Sequence, residues 1–131
     1  MTSKNKKPFI SWSRLIKSFQ YASEGIRHTW VHEQNFRIHS ILGALVITAG
    51  WIINVSVVEQ ALLILVIGGV LGLELINTAL ERSVDMVTSE YRLEAKIIKD
   101  VAAGAVMVFS ITAVLVGITI FLPRIIQLFT L

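Results

Sequence analysis

Three long stretches of this chain carry almost no charge, and nothing else in the sequence constrains its fold as strongly. Ile38 to Val58 is 21 residues without Asp, Glu, Lys or Arg, and Val101 to Pro123 is 23 residues without one. Gln60 to Leu80 is 21 residues interrupted only by Glu74. A helix needs about 20 apolar residues to cross a hydrocarbon core roughly 30 Å thick. The sequence therefore predicts an all-α membrane protein, a single domain over 1–131 with spans at about 38–58, 60–80 and 101–123. Only 16% of the 131 residues are charged, against about 25% in an average soluble domain.

The basic residues are placed to orient these spans. Lys4, Lys6, Lys7, Arg14, Lys17, Arg27 and Arg37 precede the first, and Arg82, Arg92, Lys96 and Lys99 fall between the second and third. The Asn54-Val55-Ser56 turn has none, and Arg124 stands alone near the end. The positive-inside rule puts the N-terminus and the Arg82–Lys99 segment in the cytoplasm and the C-terminus outside. The net charge of +3 thus speaks of membrane orientation, not of nucleic acid. Cysteine is absent, which excludes disulfides, thiolate chemistry and Cys-based zinc sites. No apolar segment with a small-residue cleavage site follows the basic start.

Before the first span, Phe9, Trp12, Leu15, Ile16, Phe19, Ala22, Ile26 and Trp30 recur at steps of three and four, with Arg14, Lys17, Glu24 and Arg27 on the other side. This is the pattern of an amphipathic helix, about 9–30, lying in the membrane interface. Gly43, Gly50, Gly68, Gly69 and Gly72 read as positions where helices approach closely. Ser89 is placed to cap the helix that leads into the third span, with Glu90 in its first turn.

Chemistry is concentrated in Glu74, Asn77, Glu81 and Asp85, spaced three, four and four apart. On a helix they share one face and span about 16 Å. Glu74 lies below the membrane surface, where an acidic residue is costly and marks a functional site by default. The ionised form is disfavoured there unless a cation or hydrogen bond compensates, which suits a general base. Glu33 and Glu81 sit nearer the cytoplasm and offer the hard oxygens Mg²⁺ takes together with phosphate and water. Lys99, beside Asp100, is either a point charge for phosphate or a snorkelling anchor. Neither a G-x-x-x-x-G-K-[ST] nor a G-x-G-x-x-G loop is present. These residues alone leave two readings open: an enzyme acting on a lipid at the interface, or a small proton- or cation-conducting subunit. Three helices enclose no shielded site, so neighbouring copies or lipid must supply a wall.

E-L-I-N-T-A-L-E-R-S-V-D over 74–85, Ser89-Glu90-Tyr91, and A-K-I-I-K-D-V-A-A-G-A-V over 95–106 resemble the small bacterial integral-membrane lipid kinases. That family includes diacylglycerol kinase and undecaprenol kinase. The likeness extends upstream through Arg14, Tyr21 and His32-Glu33-Gln-Asn-Phe36. It implies a homotrimer in the bacterial plasma (inner) membrane, with composite sites between protomers and Mg-ATP as phosphoryl donor to a lipid alcohol. It further implies Glu74 as catalytic base, Glu33 and Glu81 as metal ligands, and Asn77 as an organiser of the site. ATP contacts are implied at Tyr21, Glu33, Asn77, Glu81, Lys99 and Asp100, and lipid contacts at Arg14 and Glu74. The A-K-x-x-K-D-V-A-A-G form resembles the undecaprenol kinase branch, which makes undecaprenol the expected acceptor and diacylglycerol the alternative.

With no native cysteine to interfere, the topology is directly testable. A cysteine introduced within the Asn54–Glu59 loop is expected to react with an impermeant thiol reagent added outside intact cells, and one near Glu94 only after permeabilisation. The reverse pattern overturns the orientation.

Overall fold

A computed structural model describes residues 11–130. It contains four helices in sequence, α1 (Trp12–His32), α2 (Gln34–Ile52), α3 (Val57–Val87) and α4 (Leu93–Phe129). Three of them, α2, α3 and α4, are long and apolar enough to cross a membrane. The expected start of α1 near residue 9 lies outside the described residues. The link between α1 and α2 is one residue long. Glu33 alone leaves helical geometry (φ −109°, ψ 115°). The break is held by Arg37, whose guanidinium donates to the carbonyls of Trp30 and Val31 at 2.9 Å each. A cation there satisfies carbonyls that the end of α1 leaves unpaired.

The turn from α2 to α3 follows from its residues. Asn54 adopts φ 53°, a left-handed conformation that Asn tolerates better than most side chains. Its N–H donates to Trp51 O at 3.2 Å and that of Val55 to Gly50 O at 3.0 Å, the paired bonds of a Schellman close. Ser56 then caps α3: its hydroxyl accepts from Glu59 N and the Glu59 carboxylate from Ser56 N. This reciprocal capping box is legible in Ser56-Val-Val-Glu59.

At the other turn the expectation fails. Ser89 does not cap α4, which begins at Leu93 after Arg92. The Thr88 hydroxyl takes the Glu90 N–H instead, at 3.1 Å. That local turn leaves the chain non-helical as far as Arg92, so Glu94 and not Glu90 occupies the first turn. Pro123 lies inside the last helix. It lacks the N–H that would reach back one turn, yet α4 continues to Phe129.

α3 is the central element, packed along α4 on one side and α2 on the other. Its Leu63 (1% exposed), Val66 and Val70 form the core with Phe36, Val106 and Ile120. Most other large apolar side chains face outward, as the surface of a lipid-immersed bundle requires. Close approach depends on particular glycines. A Cβ on Gly43 would stand 2.5 Å from Ile67 Cγ2, and one on Gly69 2.6 Å from Phe109 Cζ. Gly50 is confined in the same way by Gln60. Gly68 and Gly72, by contrast, have no neighbour within 4 Å and are not close-packing positions within this chain. At the end carrying the α2–α3 turn, Arg124 of α4 makes a two-pronged pair with Glu59 of α3, at 3.0 and 2.6 Å.

The adjacent glycines of α3 give opposite expectations. Gly69→Ala forces its methyl against Phe109 and should lower stability by about 1–3 kcal/mol. Gly68→Ala meets open space and should be neutral or slightly stabilising, since Ala is the better helix former by up to about 1 kcal/mol. Thermal unfolding in detergent distinguishes the two.

Candidate functional site

Because α3 is unbroken from Val57 to Val87, Glu74, Asn77, Glu81 and Asp85 do share one face. They lead from the buried middle of the bundle to the α3–α4 turn. Glu74 is 4% exposed, and its Oε1 lies 3.3 Å from His39 Nε2 on α2. One turn on, Asn77 Nδ2 donates to Glu81 Oε1 at 2.8 Å. That bond aims one Glu81 oxygen and leaves Asn77 Oδ1 buried without a partner. Glu33, turned out by the break between α1 and α2, faces Arg82 at 3.5 Å. Asp85 reaches across to α4 and accepts from Lys99 Nζ at 2.5 Å, while Lys96 pairs with Asp100 one turn away.

These side chains line three cavities in succession. The innermost, about 300 Å³, lies between α2, α3 and α4 and includes Asn35, His39, Glu74, Asn77 and Ser110. The Ser110 hydroxyl, like Asn77 Oδ1, is a buried polar atom without a partner. The middle cavity, about 510 Å³, is bounded by Glu33, Glu81, Arg82, Asp85 and Met86. The outermost, about 620 Å³, occupies the turn between α3 and α4 and includes Asp85, Arg92, Lys96, Lys99 and Asp100. An apolar groove of about 380 Å³ begins at His39 and Ser110 and runs away from them past Val46, Val70 and Phe121. A molecule with a polar head and a long apolar tail matches that sequence of surroundings.

The structure thus places Glu33, Glu74, Asn77, Glu81, Lys99 and Asp100 along these three cavities. It does not bring Arg14 or Tyr21 there. Both lie on α1, where Tyr21 is 67% exposed, and neither lines these cavities. Among the described residues no three acidic or histidine side chains converge as a metal cluster. Glu33 and Glu81 share one cavity, and two carboxylates are what Mg²⁺ commonly takes from protein when phosphates and water complete its shell. The donor set fits that ion.

His39, Arg82 and the Asp85–Lys99 pair were not legible as partners. His39 looks like the edge of a polar linker, and only the packing of α2 on α3 carries it to a carboxyl 35 positions away. His28 and His32 stack on α1 with centroids 4.2 Å apart. Lost hydration, then the charges of His32 and Arg82, hold His28 below the ordinary imidazole range.

Comparison with known proteins identifies the family. Residues 20–121 match the family described as prokaryotic diacylglycerol kinase. An undecaprenol kinase of Bacillus subtilis is 41% identical over 112 residues, 86% of this chain and 91% of that protein. A diacylglycerol kinase of Synechocystis is 43% identical over 115 residues, 87% of this chain and 66% of that protein. The diacylglycerol kinase of Escherichia coli K12 is 31% identical over 104 residues, 79% of this chain and 85% of that protein. With most of its length matched and its three apolar helices in place, the chain belongs to the prokaryotic diacylglycerol kinase family and is a membrane lipid kinase, not a cation conduit.

Proposed function

We propose that this kinase transfers the γ-phosphoryl group of Mg-ATP to undecaprenol at the cytoplasmic face of the bacterial plasma membrane, as a homotrimer of three-span subunits with α1 lying in the interface. The observation that carries the reading is the succession of three cavities along α3, ordered from a buried carboxylate to paired acids to a basic turn. The A-K-x-x-K-D-V-A-A-G form of α4 and the Bacillus subtilis relative favour undecaprenol. Diacylglycerol is the second reading, favoured by the name of the Synechocystis relative.

In this scheme the lipid tail follows the apolar groove and its hydroxyl enters the innermost cavity. Glu74 takes the hydroxyl proton as the alcohol oxygen forms its bond to the γ-phosphorus. The bond from that phosphorus to the bridging oxygen breaks, and ADP departs with the electron pair. Lys99, once it exchanges Asp85 for phosphate, holds the nucleotide's phosphates at the outer end of the site, and Asp100 orders Lys96 at the rim. Glu33 and Glu81 would hold Mg²⁺, which when bound supplies charge neutralisation on the phosphates. Asn77 keeps the Glu81 carboxylate in register. Phosphoryl transfer is largely positioning and electrostatic stabilisation, so no glycine-rich phosphate loop is required. The cavities are partly open, which suits closure by a neighbouring protomer.

Two substitutions separate the roles. Glu74→Gln keeps size and polarity but cannot accept the proton, so kcat should fall by about 10²-fold or more with Mg-ATP affinity nearly unchanged. If kcat survives and the KM for Mg-ATP rises instead, Glu74 belongs to the nucleotide site. Glu81→Gln removes a hard oxygen ligand and should abolish turnover at ordinary Mg²⁺; full activity there overturns the metal assignment. Undecaprenol and diacylglycerol offered separately, with Mg-ATP, decide the acceptor.

A further inference from the structure

Glu74 has an environment that its position on α3 alone does not explain. Its side chain is 5% exposed, and the one basic group within ion-pair distance of it among the described residues is His39, 30% exposed, with Nε2 3.3 Å from Oε1. A carboxylate at this depth needs such a neighbour to remain charged. The two residues come from different helices, α2 and α3, so their approach is fixed by packing. Gly43, one turn beyond His39, admits Ile67 of α3 with no room for a Cβ. That close approach holds this part of α2 against α3. His39 also stands where the polar cavity of Glu74 meets the apolar groove, lining both. The contact is an ion pair between Nε2 and Oε1. Among the described residues no hydrogen bond is made to Oε2, which leaves that oxygen for another donor.

We propose that His39 is a positioning residue for phosphoryl transfer: its Nε2–H engages Glu74 Oε1 and so turns Oε2 toward the hydroxyl of the acceptor lipid. An ionised carboxyl offers no proton, so the imidazole nitrogen facing it carries the hydrogen. That contact favours the charged, proton-accepting form of the base. It also restricts rotation of the carboxyl, on which the near-attack geometry depends. The inference rests on Glu74 acting as the base and goes beyond it by assigning the group through which that base is oriented. A lipid alcohol reaching the junction presents its hydroxyl to Oε2 while its tail continues into the groove, so His39 acts on the base without touching the transferred group.

The test is a double-substitution cycle in purified full-length protein in detergent, with Mg-ATP and whichever of undecaprenol or diacylglycerol the native protein turns over faster. H39L should lower kcat by about 10-fold or more, with the KM for Mg-ATP within about twofold of native. H39Q, which retains an N–H donor of similar reach, should recover most of that loss. In the E74Q background H39L should lower the residual rate by less than about twofold, because its effect is exerted through the missing carboxylate. A merely structural role predicts the same loss in both backgrounds, and that result overturns the proposal. So does a native kcat in H39L, or an H39Q enzyme as impaired as H39L. If H39L does not fold, H39N, a shorter amide that keeps the site polar, takes its place in the cycle under the same criteria. A native kcat in E74Q alone overturns the base assignment, an outcome distinct from an additive cycle in which Glu74 is essential and His39 acts independently.

Discussion

The molecule is organised around the cost of a carboxyl in the interior of an apolar helix. A charge in a membrane span is retained only where neighbours compensate it, and Glu74 sits near the middle of the unbroken helix α3. Two other helices, α2 and α4, contribute to making that position tenable. α2 brings His39 to the carboxyl. α4 covers the opposite side with Ala102 and Val106 in the core. Toward the α3–α4 turn, polarity is released in steps: an amide-bound Glu81, then the exposed Asp85 paired with Lys99. The gradient from dry to wet along one helix face is what lets a single short chain present both an apolar tail groove and a charged cleft.

How α3 and α4 stay in register is a separate question, answered at their two ends. Glu59 and Arg124 join them on one side of the bundle, and Asp85 and Lys99 on the other. The two ties differ in character. Arg124 offers a planar fork to both Glu59 oxygens, and the Ser56 N–H also engages Oε2, so that pair is fixed in geometry. Lys99 offers a single rotatable ammonium to Asp85, a contact that can be exchanged for another anion. Under the proposed reading the first tie is structural and the second is released when phosphate arrives.

Much of this was legible in the residues and some was not, for definable reasons. The spans follow from the absence of charge in three stretches of about 20 residues, a signal that depends on composition and survives uncertainty in detail. The face shared by Glu74, Asn77, Glu81 and Asp85 follows from helical spacing alone. The start of α4 did not follow, because it depends on which local donor wins. The Thr88 hydroxyl takes the Glu90 N–H and holds a local turn where Ser89 was expected to cap a helix. Pairings across helices were also hidden. His39 with Glu74, Arg82 with Glu33 and Arg124 with Glu59 are set by the rotation of one helix against another, which spacing within either helix does not encode. The glycines illustrate the same limit: Gly68 and Gly69 are identical in sequence terms, and only the phase of α3 places the second against Phe109.

α4 has 37 residues and α3 has 31, about 55 and 46 Å at 1.5 Å per residue, while the hydrocarbon they cross is roughly 30 Å thick. The surplus length makes α3 a ruler anchored in protein rather than in lipid. The interval between Glu74 and the acidic rim is set by helical rise and does not change with the membrane, whereas the depth at which an alcohol headgroup floats does. Bilayer thickness therefore enters the chemistry as a variable. In a thinner or thicker membrane the helices tilt or the lipid adjusts, and the reacting hydroxyl is raised or lowered against a fixed scale. On the proposed mechanism, the lipid surroundings tune the alignment of the two reactants as directly as any side chain that lines the site.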